Sequence, residues 1–400
     1  MKQLIRRVSW TVCILVVFEV GNTILLPGFP FKDYVNGLKQ NAYVNIVSSN
    51  FGSQITVPSL FALGMGPYMT ALIVWQMITI TNEEKFQKMT QKAAGFWQKV
   101  ITLAIALIQA FAISFLFLKY KPSIGNFESR DMYWIIVTIL IAGGMFVVWI
   151  ADLNAKKGIG GTSVLIIPGL IKNLPTVLNS GLKKPISFSA ATWGLVLIFL
   201  FVFIFTSIYI YSAELRIRIE RINIENELTN SYIPIKVLVS GAMPFMFALS
   251  LYSVPLLILS RFKINSALYR IISSAFSYHT WQGIFLYGLI ILLLGYGFAF
   301  VNVRPNKIAK SLRENGDYIL NILPGQETEE YLKHKIYTMT FLGNIYLLFI
   351  SLVPLIIGKY IPVVTNFSFL FGSILILITM LDTIYQEIRA LLIKGQYRIF

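Results

Sequence analysis

Long apolar runs, separated by short polar segments, follow one another along the whole chain. A helix that crosses a lipid bilayer needs about 20 predominantly apolar residues, and ten of these runs are long enough. Every tryptophan except Trp75 lies near a predicted span end, where indole rings prefer the membrane interface. The pattern therefore predicts an all-α integral membrane protein. We place its ten transmembrane helices at about 8–26, 64–80, 98–118, 133–150, 162–178, 190–211, 234–259, 281–301, 336–357 and 369–390.

The composition excludes a chain of soluble domains. Of the 400 residues, 56% are hydrophobic and only 13% are charged, which is too little charge to cover the surface of soluble domains. Cys13 is the single cysteine, so a disulfide framework and a cysteine-based metal site are excluded as well.

The basic residues indicate how the chain is oriented in the membrane. The formal net charge is +16, from 34 Lys and Arg against 18 Asp and Glu. Because these charges lie between the apolar runs, membrane topology explains them without a nucleic-acid partner. With the N-terminus in the cytoplasm, 22 of the 34 basic residues fall in cytoplasmic segments, so we expect both termini there. The start resembles a secretory signal but lacks a small-residue cleavage site, so we interpret it as an uncleaved first span.

Ten spans divide naturally into two halves of five, at about 1–180 and 181–400. An odd number of spans per half makes the second half insert upside-down relative to the first, as in inverted repeats. The two halves show no clear sequence similarity, so the count permits inversion without demonstrating it.

Two of the predicted cytoplasmic segments are unusually long. Residues 213–233 alternate apolar and charged positions, which predicts a strand or hairpin outside the membrane. Residues 302–335 combine basic and acidic residues with a turn at Pro324 and Gly325. Each is either a solvated loop without a further role or part of a docking platform.

The spans contain almost no residues suited to bond chemistry. Glu19 is an exception in the first span, either as a proton site or as a carboxylate that is hydrogen-bonded near the interface. His279 and His334 fall on opposite sides of the predicted membrane, so they cannot share a metal. Residues 158–161 are too short for a dinucleotide fingerprint and predict a tight turn, with Thr162 or Ser163 as the following helix cap. We expect no enzyme activity, no metal and no cofactor.

Residues 41–70 do not follow the pattern of simple spans. A polar stretch up to Pro58 is too hydrophilic to cross lipid, and Gly64, Gly66 and Pro67 then interrupt the start of the next apolar run. Irregular backbone at membrane depth is tolerated only inside protein or beside a water-filled cavity. The segment is either a re-entrant piece over a pore or an ordinary external loop.

Several motifs in order along the chain carry a resemblance to a known family. Residues 58–76 read PSLFALGMGPYMTALIVWQ, which resembles the plug and second helix of the SecY family of protein-conducting channels. Residues 157–163 resemble that family's turn before the fifth span, and residues 232–248 resemble its entry to the seventh. Further matches are at 26–28, 305–328 and 372–382.

The resemblance implies a SecY-like fold, in which two inverted five-helix halves surround a central pore. It implies a plug at about 43–57, with Tyr43, Ser48, Asn50, Ser53 and Val57. It also implies an apolar pore ring, although each ring residue has an alternative interpretation as a lipid-facing or core side chain. The ring residues are Met65, Met69, Ile166, Met246 and Ile376.

The same resemblance implies that the cytoplasmic loops bind a SecA-like motor ATPase, because the chain itself has no nucleotide motif. Two residues depart from the family pattern: Leu323 and Glu19 replace the usual arginines. These departures favour an accessory, second-copy SecY with a dedicated motor, of the kind that exports serine-rich, glycosylated adhesins in Gram-positive bacteria. The residues expected to bind the motor are Arg216, Arg218, Arg221, Lys307, Lys310, Arg313 and Leu323.

We accordingly expect a multi-pass protein of the bacterial plasma membrane. Its partners would be the accessory motor, secreted polypeptides, membrane lipid and small SecE- or SecG-like or other accessory Sec subunits. A housekeeping SecY channel is the main alternative. A secondary transporter or flippase, a membrane-embedded transferase and a structural scaffold are the others.

Overall fold

The computed structural model describes residues 2–27, 59–81, 86, 89–118, 129–179, 190–221, 231–248, 251–252, 274–278 and 280–396. The expected plug residues, Tyr43, Ser48, Asn50, Ser53 and Val57, lie outside the described residues, and so does His279.

Helices make up most of the described chain. A single 3-10 turn, Ser163–Leu165, precedes α5, and residues 243–248 form a further short helix. The longer helices are α1 (Lys2–Thr23), α2 (Gly66–Thr81), α3 (Gln91–Leu118), α4 (Ser129–Lys157), α5 (Ile166–Asn179), α6 (Ala190–Ser212), α7 (Trp281–Val303), α8 (Pro305–Asn315), α9 (Gln326–Gly358) and α10 (Pro362–Gln396).

Nine of these helices coincide with predicted spans, within the part of the chain that the structure describes. Only α8 falls outside the predicted spans. Among the described residues, five helical stretches qualify as candidate membrane spans by length and composition, and 163–175 and 196–212 are shorter apolar helices. The five are Gln91–Phe111, Asp131–Lys157, Trp281–Asn315, Gln326–Gly358 and Val363–Ile393.

The predicted start of the seventh span is wrong. Residues 232–236 form a β-strand, and the helix begins only at residue 243. Gly241, with φ of +61°, lies between the two elements. Apolar side chains of the strand, including Ile235, are buried in a protein core, so their hydropathy imitates the start of a membrane span.

The chain packs into two units. One consists of Met1–Ile186 together with Leu377–Phe400, and the other of Ser187–Ile376. These packing units are not the predicted halves, because the last part of α10 belongs to the first unit. The division of the spans into halves at 180/181 stays a prediction.

In the first unit, residues 59–65 pack tightly before α2. The N–H of Leu60 donates to the carbonyl of Ile24 at 2.9 Å, and the Phe61 ring stacks with Phe18 and Phe146. The helix then begins at Gly66, as the glycines and Pro67 predicted. Around this segment, α3 and α4 contribute to a core of Leu26, Ala62, Leu63, Ala110, Met132, Ile136, Val137 and Leu140.

In the second unit, an antiparallel hairpin follows α6. Strand β1 (Glu214–Arg218) pairs with β3 (Tyr232–Lys236), while β2 (Glu220–Arg221) pairs with β4 (Asp317–Tyr318). The hairpin predicted from residues 213–233 is therefore confirmed. Residues 302–335 are more than a loop, because they contain α8, β4 and the start of α9.

One hydrophobic core joins the two long segments. We call the hairpin, α8, β4 and the first turns of α9 the platform. The buried residues of this core, to which α7 also contributes, are Ile217, Ile235, Val239, Ala299, Ala309, Ile319, Leu332 and Ile336. The two segments thus form one packed structure rather than separate solvated loops.

Candidate functional site

A tight turn at residues 158–161 connects three helices of the first unit. The buried Asn154 amide of α4 donates to the carbonyls of Ile159 and Gly161, at 3.1 and 2.6 Å. Thr11 of α1 accepts from the Ile159 N–H at 2.8 Å. Glu387 of α10 accepts from the Gly160 N–H at 2.6 Å. The turn is confirmed, and its backbone groups are bound by side chains of α1, α4 and α10.

The expected helix cap after this turn is wrong for Thr162. Its backbone is already helical, with φ of −75°, and its side chain makes no capping hydrogen bond. Instead, the Asn154 side chain stabilises the turn through its hydrogen bonds to the carbonyls of Ile159 and Gly161. The sequence offered only a polar residue near the end of an apolar helix as a signal for this role.

Glu19 forms an ion pair with a residue of another helix. Its carboxylate lies 3.6 Å from Nζ of Lys172 on α5, and both side chains are partly exposed. The ion pair links α1 to α5, and the two interpretations of Glu19, a proton site or a carboxylate that is hydrogen-bonded near the interface, stay predictions.

All five residues expected to form the pore ring are buried, with at most 8% exposure. This burial is not that of lipid-facing side chains, and it fits both a pore ring and the alternative of core side chains. Met65, Met69 and Ile166 belong to the first unit, and Met246 and Ile376 belong to the second. Whether the five side chains converge on one axis remains a prediction.

The hairpin of the platform has a cationic face that points to solvent. Odd-numbered side chains of β1, such as Ile217, enter the core, while Arg216 and Arg218 are exposed. Arg216 lies over the ring of Tyr232 at 4.9 Å and donates to Glu214 at 2.8 Å. That hydrogen bond raises the pKa of the Arg216 guanidinium, so the group stays charged.

Helix α8 adds a second row of cations to the platform. Lys307, Lys310 and Arg313 are exposed, whereas Ala309 and Leu312 face the core. Basic residues every three positions lie along one side of a helix, because 3.6 residues complete a turn. Arg221, the remaining expected docking cation, is partly engaged, with Nε 3.8 Å from the Asp317 carboxylate.

Leu323 lies on a turn that is held in place by hydrogen bonds. Its N–H donates to the Glu327 carboxylate at 3.3 Å, and its carbonyl accepts from the Thr328 hydroxyl at 2.9 Å. The side chain itself is 67% exposed, and that of Leu320 is 60% exposed. The apolar side chain of Leu323 is therefore exposed to solvent, while hydrogen bonds fix its backbone in the turn.

A family model described as SecY matches residues 59–385 of the chain. The chain belongs to the SecY family. Two relatives are each called accessory Sec system protein translocase subunit SecY2. The protein from Leuconostoc gelidum subsp. gasicomitatum is 30% identical, with 98% of this chain and 96% of the relative covered. The protein from Streptococcus salivarius is 32% identical, with 98% and 97% covered.

The fold of this SecY-family chain agrees with a solved structure of a protein-conducting channel. The TM-score is 0.60 at 15% identity, with 97% of this chain and 92% of the other covered. The predicted SecY-like fold is confirmed. The chain is a multi-pass membrane channel for protein translocation, and its bacterial relatives indicate the plasma membrane. Among the predicted functions, the family match therefore supports the protein-conducting channel.

Proposed function

We propose that this chain is the channel subunit of an accessory translocase that exports serine-rich, glycosylated adhesins with the energy of a SecA-like motor ATPase. The observation that carries the proposal is the match, over nearly the whole chain, to two relatives named as accessory translocase subunits. The motor is needed because the sequence has no nucleotide-binding motif of its own. Small SecE- or SecG-like or other accessory Sec subunits would complete the assembly.

The constriction of the channel would be the apolar ring of Met65, Met69, Ile166, Met246 and Ile376. Their burial supports this role, since a closed ring has little exposed surface. Three of the five are methionines, whose flexible thioether chains can adapt to cargo side chains of different sizes. An apolar constriction also excludes water and ions by dewetting.

The platform would be the docking surface for the motor. The distribution of Lys and Arg along the chain favours a cytoplasmic platform, with both termini on the same side. The exposed cations, Arg216 and Arg218 on the hairpin and Lys307, Lys310 and Arg313 on α8, would attract an acidic surface of the motor.

Leu323 supports an accessory rather than a housekeeping assignment. It is exposed and apolar at a position where the resemblance expects an arginine that contacts the standard motor. A channel without this arginine lacks a charged contact for the housekeeping motor, while an apolar contact suits a different partner.

Proteoliposomes with purified channel and companion subunits, ATP and an unfolded adhesin segment test the proposal. We expect the accessory motor to drive export, and its ATPase activity to rise more than that of a housekeeping motor. Leu323→Arg should shift this preference toward the housekeeping motor. Equal stimulation of both motors by the unaltered channel would contradict the accessory assignment and favour a housekeeping channel.

A further inference from the structure

Strand β1 of the platform uses only one of its two edges to pair with β3. The N–H of Val237 donates to the carbonyl of Ala213, and the N–H of Ile219 donates to the carbonyl of Ser231. In this register the odd-numbered residues of the first strand make the inter-strand hydrogen bonds. The backbone groups of the even-numbered residues, Arg216 and Arg218 among them, therefore point away from β3.

Within the described residues, the outer edge of β1 is unpaired, whereas β2, which follows β1 along the chain, is paired. Strand β4 pairs with β2, with Glu220 opposite Tyr318. Strand β4 ends at Tyr318, and the chain then turns, with the N–H of Ile322 donating to the carbonyl of Ile319 at 3.1 Å and Asn321 at φ of +62°. In the described part of the chain, no strand continues this pairing beside β1. The unpaired outer edge of β1, about five residues long, therefore lies in line with β4, and we call it the slot.

The opposite edge of the hairpin cannot accept a strand equally well. Pro234 pairs with Arg216, at a position where backbone groups point away from β1. Proline has no N–H, so it interrupts hydrogen bonding along the outer edge of β3. Such prolines prevent unwanted strand addition in natural sheets, and only the β1 edge lacks this protection.

The side chains next to the slot indicate which sequence would fill it. On the solvent face of the hairpin, Arg216, which is bonded to Glu214, and Arg218 are exposed cations. On the other face, Leu215 is partly buried against the core and Ile217 is fully buried. Since side chains of a strand alternate between faces, an added strand would place acidic residues beside the arginines and apolar residues beside the core.

We propose that the outer edge of β1 accepts an extended segment with alternating acidic and apolar residues from the motor ATPase, as an added antiparallel or parallel strand. Main-chain hydrogen bonds would supply affinity, and the two arginines would select the acidic sequence. This inference rests on the proposed function, in which the platform faces the cytosol and binds the motor. A second copy of the channel is a poor occupant, because its own arginines would lie opposite these.

Residue-resolved hydrogen exchange on the reconstituted channel, with and without the motor, tests the proposal. We expect exchange of the Arg216 and Arg218 amides to slow by about tenfold on motor binding. The Leu215 and Ile217 amides, which are already bonded to β3, should change less than about twofold. This alternation distinguishes strand addition from docking through side chains alone.

Two variants separate the backbone contribution from the charge. Arg216→Pro removes the outward N–H and the charge, whereas Arg216→Gln removes only the charge. If a strand is added, the proline variant should weaken motor binding by about tenfold relative to the glutamine variant. Equal affinities of the two variants would contradict the proposal. Thermal unfolding of both variants checks that the hairpin is intact.

The remaining outcomes are also decisive. A motor that binds without alternating protection overturns the added strand but leaves the proposed function intact. If the motor does not bind, a peptide of four Val-Glu repeats, with a Val-Lys peptide as the control, tests the edge directly. The absence of alternating protection with the Val-Glu peptide then overturns the inference. Protection that grows with channel concentration alone would identify a second copy as the occupant and would also overturn it.

Discussion

Two of the three glycines in the turn between α4 and the 3-10 segment have a positive φ but different surroundings. Gly160 has φ of +78° and Gly161 has φ of +63°. A Cβ on Gly160 would overlap the Val164 side chain and lie 2.7 Å from Ile384, whereas a Cβ on Gly161 would meet no atom within 4 Å. Only Gly160 therefore combines conformational strain with a steric clash.

We expect Gly161→Ala to lower the free energy of unfolding by about 1 kcal/mol, the cost of a left-handed alanine. Gly160→Ala should cost about 3 kcal/mol or more, because the neighbouring side chains must also move. Thermal unfolding of both variants in detergent measures the difference. Equal losses would show that the contact with Val164 does not constrain the turn.

Asn154 makes a second prediction at the residue scale. Its amide donates to two turn carbonyls in a buried position. Asn154→Ala should lower the free energy of unfolding by about 1–3 kcal/mol, because both carbonyls lose this donor. Asn154→Asp should cost more, since a carboxylate would face two acceptors. A milder effect of Asp than of Ala in the same unfolding assay would be inconsistent with this role.

At the scale of elements, the platform depends on apolar side chains that point inward from the hairpin. Ile235 is 1% exposed within the core that joins the hairpin to α8 and α9. Ile235→Ala should destabilise the platform by about 2–4 kcal/mol and weaken motor binding. Arg218→Ala, on the opposite face, should change platform stability by less than about 0.5 kcal/mol. Limited proteolysis of the purified variants compares the two.

The elements that sequence reasoning located well are those with a strong local period. The apolar runs predicted nine described helices, and alternation in residues 213–233 predicted the hairpin. The predicted seventh span began too early, because Ile235 of a strand looks like a lipid-facing residue in a hydropathy pattern. Hydrogen bonds between distant residues, such as that from the Ile159 N–H to the Thr11 hydroxyl across 148 positions, leave no local pattern in the sequence and were not predictable.

At the scale of the whole molecule, the central expectation is the apolar ring. A cysteine at Met246, in a Cys13→Ala background, should crosslink to a stalled translocating polypeptide in membranes. A cysteine at Phe201, which is 72% exposed on α6, is the control and should crosslink only to lipid-borne reagents. Crosslinks from position 246 only to neighbouring helices would argue against its place in the ring.

The hydrogen bond between Gly160 and Glu387 has a consequence for biogenesis. The two residues are 227 positions apart, and the unit that contains them also needs the C-terminal stretch from Leu377. At about 5–20 residues per second, a ribosome takes about 10–45 s to cover that interval. During this time the newly inserted N-terminal helices lack their last partner. The nascent first unit is therefore a candidate client for insertases and membrane chaperones until synthesis ends.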